Sequence, residues 1–153
     1  MTWLAPLAAL LGVLLGAGAS AITDKRRWKH EERTRTREQR VVLYTDYLSA
    51  LENTGQALLT VLRTTSTHER PAAVKAAFTE HGLAAVRHRI HILAPAPVSD
   101  AADAVFRALR NSQHFVETAD PQDEATLGNL KAEIGSLRDL LKTAMRHDIA
   151  TSN

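Results

Sequence analysis

An all-α chain is expected: an N-terminal transmembrane helix, then a helical basic stalk, then an antiparallel up-down four-helix bundle. Three features carry that expectation. Residues 3–22 contain no charged side chain, and twenty helical residues rise about 30 Å, the thickness of a bilayer's hydrocarbon core. Beyond residue 40, apolar side chains recur at alternating steps of three and four, the spacing of a helix face. No stretch alternates with the period of a strand, and turns rich in proline and polar residues cut the remainder into four segments of similar length.

The apolar run is expected to be an uncleaved anchor, residues 1–23. Six leucines, Val13 and Ile22 each favour insertion by roughly 0.3–0.6 kcal/mol at mid-membrane. Trp3 and Trp28 lie about 37 Å apart on one helix, close to the spacing of the two interfacial aromatic belts. Pro6 sits in the first turn, where its missing N–H does no harm. Gly18-Ala19-Ser20-Ala21 looks like a signal-peptidase site, but a signal peptide also needs a positive stretch before its apolar core. Here Lys25, Arg26, Arg27 and Lys29 come after the core. Cations mark the cytoplasmic flank, so the expected topology is single-pass in the plasma membrane, amino terminus outside and helical domain in the cytoplasm.

Ala8, Gly12, Gly16 and Ser20 recur every four residues along the anchor, and residues 12–16 form a GxxxG. Small residues at that spacing let two helix backbones approach closely. They are the candidate contact for a homo-oligomer or a partner transmembrane helix.

Residues 24–40 form the stalk. They hold eight Lys/Arg against four Asp/Glu, whereas residues 41–153 hold eleven against thirteen. The basic charge is thus concentrated beside the anchor, where each cation near anionic headgroups contributes about 1 kcal/mol. The slightly acidic distal part does not suit a nucleic-acid partner. Zero cysteines exclude disulfides, thiolate metal sites and a cysteine nucleophile.

The bundle is expected over residues 41–149. Val41, Tyr44, Leu48, Leu51, Gly55, Leu58 and Leu62 make the first heptad seam, in a helix over 41–63. The two tyrosines are expected in the core with their hydroxyls reaching solvent. Gly55 implies either tight backbone packing or local weakness. A second helix, 71–94, carries Val74, Phe78, Val86, Ile90 and Leu93, with Pro71 at its start and a bend expected at Gly82. A third, 99–118, is capped by Ser99 and presents Ala102, Val105, Phe106, Leu109 and Val116. The fourth, 121–148, starts at Asp120-Pro121 and has the cleanest seam: Leu127, Leu130, Ile134, Leu137, Leu141 and Ala144. Residues 150–153 are expected to fray. Short connections make neighbours antiparallel; seams pairing between chains as an open coiled coil is the structural alternative.

Asp24 to Trp28, followed by Y-x-x-Y-L-x-A-L from Tyr44 to Leu51, resembles a pattern of small, uncharacterised single-span membrane proteins of actinobacteria. The resemblance covers about the first third of the chain. It implies membrane attachment with a cytoplasmic helical domain and carries over no functional residue.

His81, His88 and His91 form the one cluster suggestive of metal chemistry, since His88 and His91 share a helix face. A site needs three or four converging ligands, and no Glu-x-x-His pair accompanies them. No metal or cofactor is therefore expected. Glycine-rich phosphate loops, G-x-S-x-G and H-E-x-x-H are absent too. The expectation is a non-enzymatic membrane-anchored module that presents a cytoplasmic bundle to a protein partner. Two alternatives stand beside it: an exported helical binding domain released by cleavage after Ala21, and a His-dependent metal- or pH-responsive bundle.

Overall fold

A computed structural model describes the backbone of residues 4–120 and 122–151, and the side chains of residues 34–120 and 122–151. Among these residues the chain is all-α, with five helices: α1 (Leu4–Thr64), α2 (Arg70–Glu80), α3 (Leu83–Leu93), α4 (Ala96–Thr118) and α5 (Glu124–Thr151). It divides into two compact units, Met1–Glu38 and Gln39–Asn153. Among the described residues no helix is long and apolar enough to cross a membrane. The expected anchor, residues 1–23, lies outside the described side chains.

Unit Gln39–Asn153 is a helical bundle whose directions follow from its cross-helix bonds. Arg40 Nη1 donates to Asp148 Oδ1 at 2.9 Å, and Arg138 Nη1 donates to Glu52 Oε2 at 2.7 Å. Moving forward along α1 therefore means moving backward along α5. The pairs Asp46–Arg89 and Asp103–His91 at one end, with Arg70 on the Leu62 and Ala119 carbonyls at the other, run α2 and α3 against both α1 and α4. Hence α1 and α4 are parallel, and the Tyr47 hydroxyl crosses between them to donate to the Ala102 carbonyl at 2.8 Å.

The core draws on every helix: Leu43, Tyr47 and Leu62 of α1, Val74 of α2, Leu83 and Ile90 of α3, Val98, Ala102 and Val105 of α4, and Leu141 of α5. The buried face of α1 keeps Tyr44, Leu51, Leu58 and Leu62 of the expected seam but extends to one side of it. Val41 is 41% exposed, whereas Leu43 and Thr54 are fully buried. Periodicity locates a face, but which edge of a broad face turns inward depends on neighbours in space. Thr54 satisfies itself by donating to the Ala50 carbonyl one turn back. The tyrosine hydroxyls do not reach solvent. Tyr44 donates to Asp148 Oδ2 at 2.6 Å. Burial first, then that hydrogen bond, push its phenol far above the ordinary range; burial does the same for Tyr47. Both phenols therefore stay protonated donors.

Helix boundaries depart from expectation at four places. The segment expected as one helix over 71–94 is broken at Gly82, whose φ of 61° is left-handed and suits a residue without a Cβ. Leu93, expected in the core, is exposed at the end of α3. Ala94 is extended, as the residue before Pro95 prefers to be. The next helix then begins at Ala96, so Ser99 lies buried in its first turn with Oγ donating to the Ala96 carbonyl, instead of capping. Finally, Asp120 forms a turn by accepting the Gln122 N–H, and Asp123 Oδ1 takes the cap by accepting the Thr126 N–H. The helix thus starts at Glu124, and it runs on through Thr151, into the residues expected to fray.

Arg70 fixes the far end of this unit. It is 3% exposed, and its guanidinium donates to the carbonyls of Leu62 and Thr65 at the end of α1 and of Ala119 just past α4. The last four carbonyls of a helix have no partner within it and carry the negative end of its dipole. One rigid fork thus satisfies groups from two parallel helices. Arg70→Lys should cost about 3 kcal/mol in urea denaturation, because a point charge cannot span the three acceptors. A loss under about 0.5 kcal/mol, the usual range for surface changes, would mean the fork is dispensable.

Candidate functional site

The seam expected to be cleanest is sealed only over half its length. In α5, Leu141, Met145 and Asp148 are buried, while Leu127, Leu130, Ile134 and Leu137 are only partly covered. Between this first half of α5 and helices α1 and α4 lies a half-open cavity of about 490 Å³. Its walls are apolar: Leu51, Leu58 and Leu59 from α1, Leu109, Phe115 and Val116 from α4, Leu127, Leu130 and Ile134 from α5.

Two glycines explain the space. The Glu52–Arg138 pair sets the register of α1 against α5, and in that register Gly55 stands level with Gly135. Both line the cavity. A Cβ built on either would meet nothing within 4 Å. Glycine commonly serves close backbone approach; here two side chains are missing at one level and nothing has moved in. Of the alternatives that the sequence left open for Gly55, tight backbone packing does not occur.

The rim is polar and mostly cationic. Arg63, Lys131 and Arg138 border the opening, with Glu52 and Gln56. Arg138 is taken up by Glu52. Ser112 lies inside, its hydroxyl donating to the Leu109 carbonyl at 2.7 Å. Arg70 holds the ends of α1 and α4, whereas α5 is pinned from its other end. There Asp148, 8% exposed, accepts from both Arg40 and Tyr44.

The sites expected from sequence lie elsewhere. Ala8, Gly12, Gly16, Ser20, Trp3, Lys25, Arg26, Arg27, Lys29 and Trp28 fall outside the residues whose side chains are described. His81 sits half-buried at the α2–α3 break and His88 is exposed. His91 Nε2 lies 2.9 Å from Asp103 Oδ1. Among the described residues no group of three or more His, Cys, Asp or Glu could hold a metal ion. Arg87 stacks on Phe106 at 4.2 Å and Arg110 faces Phe78 at 5.2 Å, cation–π contacts that brace α2 and α3 against α4.

Asp148 and Gly135 escaped the sequence reading, though each left a trace. An acid in a helix's last turn opposes the dipole, and a glycine inside a helix costs stability without a reason visible on its own helix. Comparison of the chain with protein-family models, curated proteins and solved structures finds no match.

Because the space is open and the backbone helical, Gly55→Ala and Gly135→Ala should each stabilise the bundle by about 0.8–1.0 kcal/mol, the helix-propensity difference. Thermal denaturation checks this. Destabilisation by either change would mean that a neighbour occupies the space.

Proposed function

We propose that the protein is a non-enzymatic, membrane-anchored helical module that presents its bundle on the cytoplasmic side to a protein partner. The observation that carries this reading is the charge step after Ile22. Twenty uncharged residues give way within a few positions to Lys25, Arg26, Arg27 and Lys29, the arrangement that holds a spanning helix with its following segment inside. Helix α1 (Leu4–Thr64) includes that apolar run and supplies much of the bundle's core. Ala8, Gly12, Gly16 and Ser20 would pack the anchor against a second copy. At the bundle end where Gln39 enters, Val42, Ile92 and Leu93 are exposed. In the antiparallel register of the Asp46–Arg89 pair Val42 stands level with Leu93, and with Ile92 they would offer the partner an apolar surface.

The test is carbonate washing of membranes from cells expressing the full chain, followed by sequencing of its amino terminus. The protein should stay in the membrane fraction with residues 1–23 attached, and deletion of residues 4–22 should release it. Recovery in the aqueous fraction with those residues still attached would end the reading. A mature chain beginning at Ile22 would establish the exported domain in its place.

A further inference from the structure

We propose that the cavity between α1, α4 and α5 binds an anionic single-chain amphiphile. A medium-chain carboxylate fits it, with its tail lying between Gly55 and Gly135 and its head at Arg63 and Lys131. The inference stands apart from membrane anchoring.

Three observations converge. The volume, about 490 Å³, lies within the range of small-molecule pockets, roughly 300–1,000 Å³. The lining is aliphatic and aromatic, which suits a hydrocarbon tail, and the two facing glycines leave the channel where the tail would lie. The rim selects the head. Of its three cations, Arg138 is committed to Glu52. Arg63 and Lys131 are exposed and make no ion pair among the described residues. In the α1–α5 register Lys131 stands level with Leu59, one turn from Arg63, so both reach one headgroup. The carbonyls at the end of α1 would repel an anion there. Arg70 already covers those of Leu62 and Thr65, which weakens that repulsion.

The test uses the full chain in phosphatidylcholine nanodiscs with a photoactivatable laurate analogue, and maps the labelled peptides. Label is expected within residues 51–63 and 127–138. Unlabelled laurate should compete, and dodecanol, which has the same tail and no charge, should compete about tenfold less well. Gly55→Leu with Gly135→Leu should abolish this label while raising the Tm, because the new side chains fill the space that the tail would occupy. If that double variant folds poorly, the surface changes Arg63→Glu and Lys131→Glu decide, each weakening competition by laurate about tenfold. Label confined to residues 3–22 would mean partition into lipid alone and would overturn the proposal. So would equal competition by dodecanol, or labelling indifferent to all four substitutions.

Discussion

A buried guanidinium governs how this bundle can be assembled. Parallel helices bring like dipole ends together, and α1 and α4 end side by side with their unsatisfied carbonyls converging. Without a donor that end would combine desolvated acceptors with mutual repulsion of two partial negative charges. Arg70 resolves both difficulties, since its planar fork reaches Leu62, Thr65 and Ala119 at once. It is placed there by the short turn after α1 and by Pro71, which helps to start α2 immediately.

Helix α5 is held differently. Its carboxyl-terminal half is anchored by Leu141 and Met145 in the core and by Asp148 on Arg40 and Tyr44. Its first half is held by Leu127, Ile134 and Leu137, which are only partly buried against the core, and by the solvent-exposed Glu52–Arg138 pair, which adds little, since exposed ion pairs contribute about 0–1 kcal/mol. With α1 and α4 fixed to each other and α5 fixed at the opposite end, the region around Gly55 and Gly135 is where the packing stays open. The cavity thus lies away from both clamps, and Gly55 and Gly135 add no side chains to fill it.

Much of the fold was legible along the chain. The 3–4 spacing identified helices, Pro95 marked a break, and Gly82 marked a bend that proved to be a full interruption. The phase of α1 was legible only in part: Tyr44, Leu51, Leu58 and Leu62 are buried as expected, but Val41 and Leu43 border the same broad apolar face, and only the neighbouring helices decide which turns inward. Pairings across the bundle were less legible still. Asp148 reads as a solvated acid until Arg40 and Tyr44 are brought to it from more than a hundred residues away. Gly135 acquires meaning only opposite Gly55. The open part of the α5 seam was hidden for a related reason: an apolar stripe has the same spacing whether it is sealed by side chains or left facing a space.

The central claim, that α5 is secured at one end and loosely packed at the other, is tested most directly by native-state hydrogen exchange on the full chain. The amides of residues 141–148 should exchange only through global opening, while those of residues 130–137, well inside the helix, should exchange far faster through local opening. Equal protection along both stretches would contradict the account.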